Sequence, residues 1–180
     1  GSENGNNGDN TGGGSTSSES DAMTIANLPA DITTNAYGSQ LAADESTWLT
    51  WTWNGIEFKG ARVCKANAID GTIQFQGNDS DATKQGFIFN KTAWSKDISK
   101  ITIVLKVKSD SKYAPSYSLY AGSTVHPTEN AIEPTSSEST DAAGNRVYTQ
   151  VFDLSKAAAK YFTISNDKAG ALYVYSIVVE

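Results

Sequence analysis

The sequence predicts an all-β fold, two antiparallel sheets packed face to face as a β-sandwich, behind a disordered polar tail. Three observations predict it. Apolar side chains recur with period two, best seen where Ile101, Ile103, Leu105 and Val107 alternate with Thr102, Lys106 and Lys108. Short runs rich in Val, Ile, Thr, Tyr, Phe and Trp are separated by turn residues, with almost no 3.6-residue pattern. Residues 2–20 are almost entirely Gly, Asn, Ser, Thr, Asp and Glu, which bury too little apolar surface to offset the entropy of ordering.

Taken in chain order, residues 1–22 are therefore expected to be a flexible tether with a reach of roughly 25 Å on random-coil scaling. Residues 23–180 are expected to be one sandwich domain, a length that fits a single core. The hydrophobic share of 38% is enough to fill such a core without a staple. Strand-like runs fall at 50–53, 56–58, 69–76, 86–90, 101–107, 117–121, 146–154, 161–165 and 172–179. Asn54-Gly55 reads as a two-residue hairpin turn, and 77–80, 109–111 and 142–145 read as loops. Val104 interrupts the polar face of its run, which marks a central strand or one covered on both sides. Residues 154–160 could form one or two helical turns, with Asp153 or Ser155 as N-cap. Residues 125–140 hold Pro127, Pro134 and many Ser, Thr and Glu, and are expected to be a long exposed loop.

Composition excludes several functions. With one cysteine, Cys64, and one histidine, His126, there is no disulfide framework and little material for zinc or paired-histidine chemistry. Cys64 reads as a small buried hydrophobe. Formal charge is -6, and four of the 20 acidic residues (Glu3, Asp9, Glu19, Asp21) lie in a stretch with no Lys or Arg, leaving the rest near -2. No basic run could track a phosphate backbone, so nucleic acid is not an expected partner. No apolar stretch is long enough to span a membrane as a helix. Gly12-Gly13-Gly14 lacks the ending of a phosphate loop.

The aromatic residues are the most informative chemistry. Trp48, Trp51, Trp53 and Trp94 are all the tryptophans in the chain. In a strand, Trp51 and Trp53 point one way and Trp48 the other, so at most one set is core. Indole faces stack on the C–H faces of sugar rings, which makes Trp48 and Trp94 candidate ligand-binding residues; the competing reading has Trp51 and Trp53 fill the interior while Trp48 covers an edge. Tyr173 and Tyr175 alternate along the last strand and could form a second platform, or pack under a loop. Asp79 and Asp81 offer hard oxygen ligands for calcium, but the EF-hand spacing is not met and a solvated acidic loop is the simpler reading. Asp70, Glu57 and Asp153 are the least tail-like carboxylates for acid–base hydrolysis, and none sits beside other informative residues. A Ser-His-Asp arrangement would need His126, and no Gly-x-Ser-x-Gly elbow is present. No catalytic residue, metal or cofactor is expected.

The phrases Gly71-Thr-Ile-Gln-Phe-Gln, Gly86-Phe-Ile-Phe-Asn, Ile98-Ser-Lys-Ile-Thr-Ile, Tyr117-Ser-Leu-Tyr-Ala-Gly-Ser, Tyr161-Phe-Thr-Ile-Ser-Asn and Ala171-Leu-Tyr-Val-Tyr-Ser-Ile-Val-Val-Glu follow one another over residues 50–180. This order resembles the jelly-roll or galactose-binding-like β-sandwich modules of Bacteroidetes surface lipoproteins and secreted proteins. The resemblance implies an extracellular or cell-surface location, with a lipidated cysteine preceding Ser2 and anchoring the polar tail to the outer membrane. It implies no shared catalytic motif. The function expected is that of a non-catalytic carbohydrate-binding or adhesion module. The alternative is a structural or protein-interaction spacer of a surface assembly, and a glycoside hydrolase or lyase fragment ranks third. Expected partners are a polysaccharide or glycan, or other surface proteins, with membrane contact only through the lipid anchor.

Overall fold

A computed structural model describes residues 21–180, so the expectation of a disordered tether falls almost wholly outside the described residues. The described chain is all-β. Its strands are β1 (Leu49–Trp53), β2 (Ile56–Ala61), β3 (Val63–Lys65), β4 (Ile73–Phe75), β5 (Phe87–Asn90), β6 (Lys100–Val107), β7 (Ser118–Gly122), β8 (Thr135–Thr140), β9 (Arg146–Asp153), β10 (Tyr161–Ser165) and β11 (Leu172–Val179). They form two sheets, a five-stranded one in the order β1-β2-β5-β10-β7 and a six-stranded one in the order β3-β4-β11-β6-β9-β8. Every strand pair is antiparallel. Met23 ties the start of the described chain to the last strand, exchanging both backbone bonds with Ile177 at 2.8 and 3.0 Å.

Period-two alternation sorts side chains as the sequence requires. On β6, Ile101, Ile103 and Leu105 are fully buried, while Thr102, Val104 and Lys106 on the other face are half-buried. β6 lies between β11 and β9, which explains why Val104 breaks the polar face: its neighbours Ser176 and Thr149 leave no need for a charge there. Phe58 and Phe162 from one sheet meet Phe75, Ile103 and Phe152 from the other in a single core. Fully burying each such side chain is worth about 1.5–3 kcal/mol.

Trp51 and Trp53 point into that core, with the Trp51 ring stacked on Phe58 at 5.8 Å between centroids. Gly60 makes room there. A Cβ on it would stand 2.8 Å from the Phe87 carbonyl oxygen and 3.5 Å from the Trp51 indole. The turn joining β1 and β2 is the one the sequence predicts, with φ of 52° at Asn54 and 77° at Gly55, the two positive values a type I′ hairpin needs.

Two expectations about the second half are corrected. Residues 154–160 form turns rather than helix. The Asp153 carboxylate accepts from Ser155 N and Oγ at 2.9 and 2.6 Å, as a cap would, but Ala158 takes φ 50°, which ends any right-handed helix. The stretch expected to be a loop over 125–140 ends in strand β8, paired along its whole length with β9. All six β8 residues are exposed, and a strand with no apolar face carries no period-two signal. The Asp141 side chain closes this hairpin by accepting from Ala143 N and Asn145 N at 2.9 Å each.

Candidate functional site

The site is built on the outer face of the five-stranded sheet. Strand β5 reads Phe87-Ile88-Phe89, and because Ile88 points into the core, both phenylalanines must point away from it. They are nevertheless buried, because a second layer covers them. Trp48, just before β1, sets its indole edge-on to Phe87 at 4.9 Å and to Phe89 at 5.8 Å. His126, from the connection between β7 and β8, lies flat on Phe89 at 4.0 Å with 4° between the planes, and on Phe87 at 5.1 Å. The His126 backbone sits at φ 57°, the left-handed region that a side chain other than glycine adopts at some cost. Burial pushes its imidazole below the ordinary histidine range, against a smaller upward pull from Glu45.

Next to β5 the sheet continues with β10 and β7, whose outward residues are polar. Register places Thr163 between Phe89 and Tyr120, and Ser165 between Phe87 and Ser118. Just past β10, the Asp167 carboxylate accepts from Tyr120 Oη at 2.8 Å and from Ser118 Oγ at 3.1 Å. Burial, partly offset by Ser118 and reinforced by Asp167, raises the Tyr120 hydroxyl above its usual range, so it stays a donor. Thr163 is 1% exposed, and its Oγ1 has no hydrogen-bond partner among the described residues.

These two halves line an open pocket of about 320 Å³. Phe87 and His126 form its apolar side; Tyr120, Thr163, Ser165 and Asp167 form its polar side. Ring edges beside convergent hydroxyls and one carboxylate suit a compact ligand with both C–H faces and hydroxyl groups. His126, Ser165 and Asp167 share the cavity, yet no hydrogen bond joins them into a relay. Asp167 accepts from Ser118 and Tyr120 and pairs with Lys168 rather than with His126, and the carboxylate that acts on His126 is that of Glu45.

The four residues singled out from sequence do not come together in one site. Trp48 belongs to the layer just described, half-buried, with its Nε1 donating to the Leu41 carbonyl at 3.0 Å. Trp94 sits in the connection between β5 and β6 and packs on the core rings of Phe58 and Phe162 at 6.4 and 6.3 Å. Tyr173 and Tyr175 are on the six-stranded sheet. Tyr173 pairs with Gln74 and lines a different cavity of about 520 Å³, together with Lys106, Lys108 and Tyr113. Tyr175 is 42% exposed at the β-bulge between Val174 and Ser176, with Lys106 Nζ 4.5 Å from its ring centre.

The acidic loop does other work. Asp81 caps the turn Ala82–Lys84 by accepting from Thr83 N and Oγ1 at 3.0 and 2.6 Å, and Asp79 is exposed. No group of three or more His, Cys, Asp and Glu side chains is placed to hold a metal ion among the described residues. Cys64 is fully buried, as a small hydrophobe would be.

Sequence reasoning missed Phe87, Phe89, Tyr120, Thr163, Ser165 and Asp167. A signal for the first two was present: a strand apolar on both faces needs a cover on each. Asp167 stands in Asn166-Asp167-Lys168, which reads as an ordinary polar turn and gave none. Comparison of the chain with protein-family models, with curated proteins and with solved structures finds no match.

Proposed function

We propose that this protein is a non-catalytic surface module that binds carbohydrate, or adheres through it, at the cavity on the outer face of the five-stranded sheet. The observation that carries the reading is the pairing of the Phe87–His126 wall with Tyr120, Ser165 and Asp167 across one opening. Sugars present apolar C–H faces and many hydroxyls, so a site for them needs ring surface and convergent polar groups together. Among the described residues the pocket is lined by one carboxylate, whereas glycoside hydrolysis calls for two flanking the scissile bond, which favours binding without turnover over a hydrolase or lyase fragment. The finer likeness to jelly-roll or galactose-binding-like modules of Bacteroidetes lipoproteins belongs to this proposal, as does anchorage at the outer membrane.

Isothermal titration of the protein against a panel of oligosaccharides tests the reading. Binding of at least one glycan is expected, weakened by His126→Ala. Because Trp48 touches both Phe87 and His126, occupancy should also shift tryptophan emission. Silence across a broad panel would favour the structural spacer instead.

A further inference from the structure

The charge around this cavity is lopsided. Among the described residues Asp167 is the one carboxylate in its lining, and no lysine or arginine lines it. The nearby cations have other partners: Lys59 is 3.8 Å from Glu45 and 3.4 Å from Thr50 Oγ1, and Lys84 is 4.0 Å from Asp81. Lys168 lies 3.7 Å from Asp167, but its half-exposed ammonium is outside the lining. His126 adds no positive charge at neutral pH, since burial lowers its proton affinity.

We propose, building on the glycan-binding reading above, that this pocket selects uncharged sugars and rejects acidic ones such as uronates, sialic acids and sulfated residues. A carboxylate that already accepts two hydroxyl protons still has lone pairs free, so Asp167 is an acceptor for ligand hydroxyls. A ligand carboxylate or sulfate in the same place would meet a like charge, and the one cation within reach, the Lys168 ammonium, is already drawn to Asp167 at 3.7 Å, so selectivity would come from repulsion.

The test compares matched neutral and acidic oligosaccharides, galacto- with galacturono- and gluco- with glucurono-oligosaccharides, by isothermal titration of the full chain. Neutral members should bind at least about tenfold more tightly, and Asp167→Asn should shrink that ratio towards one. Since Asp167→Asn also touches Ser118 and Tyr120, Thr128→Lys, at an exposed position of the lining, serves as a second variant. By adding a cation to the lining it should raise the affinity of the acidic members towards that of the neutral ones, while its melting temperature stays unchanged. Acidic members binding as well as or better than neutral ones would overturn the inference and leave glycan binding intact. A ratio unchanged in Asp167→Asn would also overturn it, by moving the selectivity elsewhere. Failure of every oligosaccharide, neutral and acidic alike, would remove the glycan-binding reading and this one with it.

Discussion

Trp48 is where a binding platform and a structural cover make opposite predictions. A platform indole offers a free face, and its removal costs affinity but little stability. The Trp48 indole instead donates from Nε1 to the Leu41 carbonyl and closes edge-on over Phe87, with Phe89 and His126 at 5.8 and 5.9 Å. Losing the hydrogen bond costs about 1 kcal/mol net. The edge contacts are worth about 0.5–1.5 kcal/mol beyond the area they bury. With part of the indole surface hidden as well, Trp48→Ala should destabilise by about 2–3 kcal/mol. In a domain of this size that lowers the melting temperature by about 4–12 °C. Trp48→Phe keeps a ring and loses the N–H, so it should fall near the lower end, about 1 kcal/mol. Urea titration followed by circular dichroism reads both variants, and a cycle with His126→Ala should show coupling above about 0.5 kcal/mol. A Trp48→Ala loss below about 0.5 kcal/mol with no coupling would refute the assignment of Trp48 as the lid of the aromatic layer.

Two further predictions concern pH. His126 is the only histidine in the chain, so its ring protons can be followed by nuclear magnetic resonance without assignment. Its folded-state midpoint is depressed by burial, so the stability tied to the neutral ring is complete above the unfolded value of about 6.5 and is lost as pH falls through the lower folded value. A midpoint at or above about 6.5 would contradict the packing described. Asp141 is held at about 2 chiefly by the Lys106 ammonium 3.0 Å away, with help from Asn145. Its contribution is therefore present above the unfolded carboxyl range and lost as pH falls through about 2, and Asp141→Asn should flatten the acid limb of a urea-midpoint profile between pH 6 and 2. An unchanged acid limb would mean that the Lys106 pair contributes nothing to the β8–β9 hairpin.

Most of the fold was legible because its signals are local. Period-two alternation on β6 and the Asn54-Gly55 turn are each fixed within a few residues, and both are present as read. The inward placement of Trp51 and Trp53 follows from the same alternation once Phe58 supplies a partner. β8 was not legible because Thr135 to Thr140 form a strand only by pairing with β9, having no buried face of their own. The stretch over 154–160 misled for the opposite reason: Ala-rich propensity is a weak prior, and the backbone there turns to bring Ala159 onto Ile98.

The site was less legible because it is assembled by register rather than by any segment. Phe89, Thr163 and Tyr120 come from β5, β10 and β7, some 74 residues of chain apart at the extremes, and become neighbours only because those strands pair in that order. Tryptophan count drew attention to Trp48 and Trp94, but an indole marks apolar area without saying which side of it is free. What separates the two is the neighbour each one needs. Trp94 finds Phe58 and Phe162 and completes the core. Trp48 finds Phe87 and Phe89, which face outward, so a cover is required wherever a strand carries phenylalanine on the face away from the sandwich. Such a cover is built from connections rather than strands, and here it brings in His126 and ends beside Tyr120 and Asp167, where the sheet turns polar. A pocket at the border between a covered apolar patch and open polar strands is thus a consequence of Phe87-Ile88-Phe89 standing next to β10.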